Sequence, residues 1–365
     1  MNISVGKEEL MKGIQVVNGA VSSKNTLPIL GNILLEAQTG SLKLTATDLD
    51  IAVTCSIPAE TQETGVITVP AKRFGEIVRE MVSDQPVRIQ AKKNFAVQIE
   101  SGKTFFKLMG LPKDDFPHIP EFQSASTIAI PQNLLLRMIK LTSFAMSRDE
   151  ARYVLNGILF SFTDKTLRLV ATDGRRLAMV EKELAKPCGQ TKNLIIPNKT
   201  IQELNRNLGG EGEVFLSLKD NQLQFKIDSV VITSRLIEGE FPNYEQVIPK
   251  KAKEQLWVNT QQFLSAARRA SIFTSQESQS IKIDLQKNRM VISKNTPDVG
   301  EVREEIETEY GGGEFSIGFN PNYLIDVLKN IDDEKISFGL IDPEKPGMIK
   351  AQQDYTCIVL PMQLS

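Results

Sequence analysis

Hydrophobic and polar residues alternate in short runs along this chain, and the same succession of runs occurs three times. The chain contains SLKLTATD at residues 41–48 and TLRLVATD at residues 166–173, 125 positions later. Strict alternation of this kind predicts β-strands with one buried face. A repeat of this length is too long for a solenoid and predicts three divergent copies of one domain. We place the copies at residues 1–122, 123–249 and 250–365.

A helical segment opens each predicted copy. In the second copy Leu134, Met138 and Leu141 follow the i, i+4, i+7 spacing that places one face of a helix on a core. A second helix is predicted after a short strand that ends at or just before a proline, because the first turn of a helix tolerates proline. The six helices are predicted at residues 8–21, 71–81, 132–146, 198–208, 260–273 and 321–331.

Three further alternating runs close each copy. They are predicted as strands at residues 87–91, 95–100 and 104–109, at 214–218, 223–227 and 230–237, and at 335–340, 348–352 and 355–360. Two helices packed on antiparallel sheet, three times over, make an α+β architecture.

Composition narrows the class of protein. The chain has 365 residues, of which 41% are hydrophobic and 24% charged, values typical of a soluble globular protein. Cys55, Cys188 and Cys357 are far apart, which predicts small core residues of a reducing compartment rather than disulfides. The one histidine, His118, lies in a loop-like FPHIP stretch, which excludes multi-histidine zinc sites and disfavours a Ser-His-Asp triad. We expect no metal and no cofactor.

Targeting and membrane segments are not recognised in the sequence. The first 13 residues lack the apolar core and small-residue cleavage site of a signal peptide. No apolar run is long enough to span a bilayer. We therefore expect a cytoplasmic protein without a membrane partner.

The charge of the chain is near zero but unevenly distributed. Its 43 Lys and Arg face 45 Asp and Glu, a net charge of −2. The helical segments carry 14 basic and 6 acidic residues, a net of +8, which leaves −10 on the remainder. These segments are residues 4–24, 68–81, 132–148, 197–208, 258–275 and 320–331. They are either ordinary solvated helix faces or, if gathered on one side, a basic concave surface suited to a nucleic-acid backbone.

Five stretches of the chain are specific enough to compare with known families, namely TLPILGN (26–32), RYVLNG (152–157), ATDGRRL (171–177), FPNY (241–244) and VLPM (359–362). In these stretches, and over its whole length, the chain resembles the bacterial DNA polymerase III β subunits, the replicative sliding clamps. The resemblance implies a head-to-tail homodimer whose six clamp-type domains close a ring around double-stranded DNA. It implies a DNA polymerase processivity factor that slides without sequence specificity. The ring would tether the replicative polymerase, the clamp loader and repair proteins through short linear peptides.

Elementary geometry is compatible with such a ring. Twelve helices of about 10 Å diameter line a bore about 28 Å wide. Duplex DNA is roughly 20 Å across, so it fits together with a layer of water. A closed ring holds DNA by topology, so diffuse phosphate contacts suffice and no base needs to be recognised.

The resemblance also assigns DNA contacts. They fall at Lys24, Lys72, Asp149 and Tyr153, and Arg73 and Arg148 are added as neighbouring cations. Asp149 has the wrong charge for a phosphate contact. Asp149 and Val154 depart from the family pattern, in which some clamps have Gln and Tyr.

A hydrophobic peptide pocket between the second and third domains is implied as well. Its residues would be Arg152, Leu155, Thr172, Gly174, Arg175, Arg176, Leu177, Pro242, Val247, Tyr323, Ile358, Leu360 and Met362. From periodicity alone, Leu155, Leu177 and Ile358 are core residues of strands, and only the resemblance places them in a pocket.

Closing the ring requires a heterologous interface, which the resemblance places between the first domain of one subunit and the third of the other. Its residues would be Arg73, Lys103, Phe106, Leu108, Ile272, Phe273, Glu301, Glu304 and Glu305. An acidic run such as EVREEIETE is commonly just a solvated face. Opposite charges at the two ends of the chain favour head-to-tail pairing here.

Two other functions stay open from the sequence. An enzyme is disfavoured because the chain has no Walker A, GxGxxG, GxSxG or HExxH motif. Asp48 and Asp173 occupy equivalent places in two copies and are better explained as turn formers than as a catalytic pair. The other alternative is a monomeric scaffold that binds peptides without encircling DNA.

Overall fold

The computed structural model describes residues 1–22, 27–82, 84–124, 127–188, 191–249, 252–297 and 299–364. These residues contain six α-helices and 25 strands. They form two compact units, one made of residues 1–135 and 202–236 and the other of residues 136–201 and 237–365. None of the helices in the described ranges has the length and hydrophobicity needed to span a lipid bilayer.

The elements follow one order in each third of the chain. The first third contains β1 (Asn2–Val5), α1 (Lys7–Asn18), β2 (Asn32–Gln38), β3 (Ser41–Thr47), β4 (Ile51–Pro58), β5 (Glu60–Glu63), β6 (Gly65–Pro70), α2 (Ala71–Glu80), β7 (Val87–Ala91), β8 (Ala96–Ser101) and β9 (Thr104–Met109). The central third contains β10 (Ile128–Pro131), α3 (Gln132–Thr142), β11 (Gly157–Thr163), β12 (Thr166–Thr172), β13 (Arg176–Glu183), β14 (Lys192–Pro197), α4 (Asn198–Asn207), β15 (Glu213–Lys219), β16 (Gln222–Ile227) and β17 (Val230–Arg235). The last third contains β18 (Glu254–Asn259), α5 (Thr260–Ser271), β19 (Ile281–Gln286), β20 (Arg289–Thr296), β21 (Gly300–Glu307), β22 (Phe315–Phe319), α6 (Pro321–Leu328), β23 (Lys335–Leu340), β24 (Gly347–Ala351) and β25 (Tyr355–Val359).

The first unit contains two antiparallel sheets. One has the strand order β5-β1-β7-β8-β9, and the other has the order β10-β15-β16-β17-β4-β3-β2-β6. The longer sheet joins the central third of the chain to the first third where β17 pairs with β4, with Val230 opposite Cys55. Helix α1 packs on β3 and β4 and buries Leu10, Ile14 and Val17.

The second unit has the same design. Its long sheet has the order β14-β11-β12-β13-β25-β24-β23-β18, and a shorter one has the order β21-β20-β19-β22. Here β25 of the last third pairs with β13 of the central third, with Tyr355 opposite Val180. Both residues lie 125 positions after their counterparts in the first unit. Helix α5 packs on α6, and its Phe263 ring lies 5.7 Å from the ring of Phe338.

The structure confirms the predicted helices and strands, with differences at their ends. Helix α3 ends at Thr142 and continues as a 3-10 helix (Ser143–Ala145), short of the predicted end at residue 146. The Thr142 hydroxyl donates to the carbonyl of Met138, a local bond that competes with the helical pattern. The strand that precedes the first helix of each copy was not predicted, because four residues in β1 and β10 and six in β18 are too few to show clear alternation.

Asp48 and Asp173 are turn formers, as the sequence predicted. The Asp48 carboxylate accepts from the backbone N–H of Asp50 and Ile51 at 3.1 and 3.0 Å. Asp173 accepts in the same way from Arg175 and Arg176 at 2.9 and 3.0 Å. The carboxylates therefore hold two equivalent turns between strands, a structural role that explains their repetition.

The residue inside these two turns differs. Gly174 has φ +83°, which glycine adopts without strain. The equivalent residue, Leu49, has φ +82° and a side chain that is 46% exposed. The first unit thus has the same turn geometry, but here a leucine adopts the left-handed conformation, which is unfavourable for a residue with a Cβ.

The cysteines and the histidine occupy different environments. Cys55 and Cys357 are buried, as predicted for core residues, whereas Cys188 is half-buried in the segment after β13, so its prediction as a core residue is wrong. His118 is exposed, in the segment after β9.

Replacing Leu49 by glycine should raise the free energy of unfolding by about 0.5–1 kcal/mol, because it removes the cost of a left-handed residue with a Cβ. Urea titration followed by circular dichroism measures the change. The matched variant Gly174→Leu should lose stability, since a Cβ at this position lies 2.8 Å from Nη1 of Arg152. A less stable L49G protein would contradict the prediction.

Candidate functional site

The apolar floor of the candidate groove lies in the second unit, where β13 pairs with β25. The antiparallel register puts Leu177 opposite Ile358, and the two side chains are 3% and 2% exposed. They form one cluster with buried residues of β11, β12, β14 and β24, namely Leu159, Val170, Ile195 and Met348. Leu177 and Ile358 are therefore core residues that also form the floor of the surface above them.

The segment after β17 packs on this cluster. Phe241, Tyr244 and Ile248 contribute partly buried side chains to it, and the rings of Phe241 and Tyr244 meet edge to face at 6.4 Å. Arg168 fastens the segment, because its Nη1 donates to the Tyr244 hydroxyl at 2.9 Å and to Glu245 at 3.0 Å. Val247, at the end of the segment, stays 52% exposed.

Polar and apolar side chains alternate around the rim. Arg175 Nη1 reaches the Tyr323 hydroxyl at 3.5 Å, a contact that raises the pKa of Arg175 above its ordinary value. The N–H of Leu360 donates to the Arg175 carbonyl at 2.9 Å and leaves the leucine side chain 39% exposed. Exposed hydrophobic groups beside arginine suit a partner that carries aliphatic or aromatic anchors.

Arg176 lies underneath this rim rather than on it. Its side chain is 11% exposed and donates to Asp173 at 3.1 Å, to Asp326 at 2.6 Å and to the Phe144 carbonyl at 2.7 Å. The guanidinium also lies 4.7 Å from the centre of the Tyr323 ring. Burial raises the pKa of Asp326, but hydrogen bonds from Lys329 and Arg176 outweigh it and hold that pKa below its ordinary value.

The structure brings most of the predicted pocket residues into this region of the second unit. Thr172 and Gly174 lie in the turn described above, where the Gly174 N–H donates to the Thr172 hydroxyl at 3.1 Å. Arg152 lies beside that turn, with Nη1 3.4 Å from the Asp173 carbonyl. Leu155 is 8% exposed and belongs to the core, as periodicity alone predicts. Pro242 is exposed beside Phe241, and the Met362 N–H donates to Gly318 at 2.9 Å.

Sequence reasoning missed several residues that shape the groove. Phe144 and Asp326 hold Arg176, and Arg168 holds the covering segment through Tyr244. These contacts join positions 32, 150 and 76 residues apart. No local sequence signal reports a contact of that separation.

The predicted DNA contacts are distributed over both units. Lys72 and Arg73 are exposed on α2, whose opposite face buries Phe74. Arg148 and Tyr153 are exposed in the second unit, and Tyr153 is 58% exposed. Lys24 lies outside the described residues.

Asp149 has a local structural role. Its carboxylate accepts from the Ala151 N–H at 3.0 Å and caps the 3-10 helix Glu150–Leu155. It also lies 3.7 Å from Nε of Arg152.

Two edge strands, β9 and β21, carry five of the nine predicted interface residues. On β9, the last strand of its sheet, Phe105, Phe106 and Met109 are 53%, 37% and 60% exposed. At the end of α5, Ile272 is 73% exposed and Phe273 is half-buried. Exposed aromatic and aliphatic side chains on an unpaired edge mark a surface that another strand can cover.

Two acidic residues of β21, the other edge strand, have partners in their own unit. Arg269 binds Glu304 through Nε and Nη2 at 2.5 and 2.8 Å, and this hydrogen bonding lowers the pKa of Glu304. Glu305 lies 2.7 Å from Arg303 and 3.5 Å from Arg289. Lys103 is exposed beside β9, and Glu301 is exposed on β21.

Among the described residues, no group of three or more His, Cys, Asp and Glu side chains is placed to hold a metal ion.

Comparison with known proteins matches the chain along its whole length. Residues 1–120, 129–243 and 245–365 match the family models for the N-terminal, central and C-terminal domains of the DNA polymerase III beta subunit. A beta sliding clamp of Pseudomonas aeruginosa is 35% identical, and the match covers all of both chains. The crystal structure of the Bacillus subtilis DNA polymerase sliding clamp superimposes with a TM-score of 0.96 at 31% identity, again over both full chains. A Pseudomonas aeruginosa clamp bound to griselimycin gives a TM-score of 0.94 at 35% identity, also over both full chains.

Truncating the floor and the rim of the groove should affect stability differently. Leu177→Ala should lower the free energy of unfolding by about 2–4 kcal/mol, because it leaves a cavity in a packed cluster. Leu360→Ala should lower it by less than about 1 kcal/mol, because that side chain is already partly exposed. Guanidinium titration of both variants measures the difference, and equal losses would contradict the assignment of floor and rim.

Proposed function

This chain belongs to the DNA polymerase III beta subunit family, the beta sliding clamps, and from that membership we propose that it is a processivity factor that encircles duplex DNA. The observation that carries the proposal is the succession of all three family domains along the full chain. The family acts in DNA replication and not as an enzyme, so the enzymatic alternative is set aside. A replication factor of this kind works in the bacterial cytoplasm, where we place it.

The three predicted domains, at residues 1–122, 123–249 and 250–365, remain a proposal about boundaries. Each predicted boundary falls inside a compact unit, because the long sheets pair strands of successive thirds. Each predicted domain is thus one copy of the repeated sequence, whereas each compact unit contains a junction between two copies.

The same repetition supports a head-to-tail homodimer. In the first unit β17 pairs with β4, and in the second unit β25 pairs with β13. The equivalent strands left over are β9 of the first repeat and β21 of the third, each at the edge of its sheet. Pairing β9 of one copy with β21 of another would repeat the junction a third time and close a ring of two chains.

Strand register follows from the same comparison. In the first unit Leu44, the fourth residue of β3, lies opposite Cys55, and Cys55 lies opposite Val230. In the second unit Leu169, the fourth residue of β12, lies opposite Val180, and Val180 lies opposite Tyr355. The fourth residue of β20 is Ile292, and its partner is Glu304. Because Val230 and Tyr355 are the first residues of β17 and β25, the first residue of β9, Thr104, is expected opposite Glu304 of the partner subunit.

This register brings complementary side chains together. It pairs Phe106 with Val302 of the partner subunit, the position that Ile232 and Val53 occupy in the first unit. It also places Met109, 60% exposed, opposite Val299, 61% exposed, and Lys107 opposite Glu301. Lys103 falls opposite Glu305 of the partner subunit, and both are interface residues predicted from the sequence. Leu108 and the end of α5, with Ile272 and Phe273, would pack beside them.

The exposed cations of the helices support contact with DNA phosphates. We propose that Lys72, Arg73, Arg148 and Tyr153 face the duplex and contact it without reading bases. Asp149 would act indirectly, by fixing the helical turn that carries Arg152 and Tyr153.

The groove above Leu177 and Ile358 is the proposed docking site for short peptides of replicative polymerase, the clamp loader and repair proteins. Its apolar floor and arginine-bearing rim support this assignment. We also propose that griselimycin, which clamps of Pseudomonas aeruginosa and Bartonella birtlesii hold, occupies this groove here.

Topological retention distinguishes a ring from a monomeric scaffold. After loading by a clamp loader with ATP, the protein should stay on a closed or nicked circular plasmid through gel filtration and leave once the plasmid is cut by a restriction enzyme. The double variant Ile272→Ala/Phe273→Ala, which weakens the proposed interface, serves as the control that is not retained. Equal retention on circular and linear DNA would overturn the ring.

Charge reversal across the proposed interface tests the register. Lys107→Glu alone and Glu301→Lys alone should each weaken the dimer by about tenfold or more, since every substitution occurs at both junctions and puts like charges opposite each other. The double variant should restore dimerisation, as measured by sedimentation equilibrium. Lys219→Glu, which reverses an exposed charge on β15, is the control and should leave dimerisation unchanged. No recovery in the double variant would mean that these residues are not opposite each other.

A further inference from the structure

The side chain of Arg176 makes its contacts with other residues of its own chain. Its guanidinium donates to Asp173, Asp326 and the Phe144 carbonyl, and the rings of Phe144 and Tyr323 lie 5.4 and 4.7 Å from its central carbon. With 11% of the side chain exposed, it presents little surface to a bound peptide. The exposed arginine of the pair is Arg175.

The contact with Asp326 is the shortest of the three, at 2.6 Å. Asp326 lies on α6 one turn after Tyr323, so both side chains project from the same face of the helix. Arg176 therefore holds α6 at two points, by an ion pair with the aspartate and by a cation–π contact with the tyrosine.

We propose that Asp326 is a positioning residue of the peptide groove, acting through Arg176 to orient the Tyr323 ring on the rim. This inference rests on the proposed groove. Charge pairing holds Arg176 against the ring face, and the Tyr323 hydroxyl is thereby directed towards Arg175, 3.5 Å away. Without the Asp326 carboxylate, the guanidinium loses one of its two acidic partners and the ring loses its fixed position.

The chain offers a matched control. Lys329 binds the other carboxylate oxygen of Asp326 at 2.5 Å, but its side chain is 43% exposed and makes an i, i+3 pair on the outside of the helix. Lys329→Gln removes the positive charge that is paired with this carboxylate and leaves the contact between Asp326 and Arg176 in place.

Calorimetric titration with griselimycin tests the inference. Asp326→Asn should weaken binding by about tenfold, whereas Lys329→Gln should change it by less than about twofold. Asp326→Glu, which keeps the charge, should recover part of the affinity. In an Arg176→Met background, adding Asp326→Asn should have no further effect, because the two residues act as one unit.

A spectroscopic measurement separates positioning from a general loss of structure. In protein labelled with 3-fluorotyrosine, the fluorine resonance assigned to Tyr323 through Tyr323→Phe should shift in Asp326→Asn and stay in place in Lys329→Gln. Thermal melting of the variants checks that the fold is kept. An unmoved resonance, or an Asp326→Asn protein that binds like the unaltered one, would overturn the positioning role.

The two proposals fail differently. If the unaltered protein does not bind griselimycin, or if Val247→Asp binds it as well as the unaltered protein does, the groove itself is wrong and the inference falls with it. If Val247→Asp weakens binding and Asp326→Asn does not, only the positioning role is wrong.

Discussion

The structure depends on the pairing of strand edges between successive repeats. A strand at the edge of a sheet leaves a row of N–H and C=O groups that must find partners or stay in water. In this chain β17 covers the edge of β4, and β25 covers the edge of β13, so the repeats are joined by continuous sheets. The equivalent strands of the first and third repeats, β9 and β21, each lie at the edge of a sheet, and in the proposed register their side chains match each other. The proposed ring is the arrangement in which this one rule is satisfied at every junction.

Local patterns were sufficient for the elements but not for the way in which they join. Alternating residues predicted β7, β9 and β23 with correct bounds, although only β7 alternates between buried and exposed side chains. Periodicity could not show that β17 pairs with β4, since the alternation is the same for any partner strand. The repeat length shows only that the two junctions are equivalent, because Val230–Cys55 and Tyr355–Val180 differ by the same 125 positions.

The candidate site shows the same division. Leu177 and Ile358 could be assigned to a core from periodicity and to a groove from resemblance; the structure confirms the core role, and the groove stays a proposal. Arg176 was predicted as a groove residue, but its contacts with Asp326 and Phe144 join parts of the chain that only folding brings together. The ATDGRRL motif gave the position of two arginines. It could not show that one is exposed and the other is held from below.

Equivalent junctions in one molecule need not be equally permanent. At β17–β4 and β25–β13 the paired strands belong to one polypeptide, so covalent continuity keeps their local concentration high and a broken contact reforms at once. In the proposed dimer the β9–β21 contact has no such tether and separates at a rate set only by its own side chains. The same pairing is thus permanent inside each chain and reversible between chains. In the proposed dimer, the β9–β21 contact is therefore the place where the ring would open to admit DNA that has no free ends.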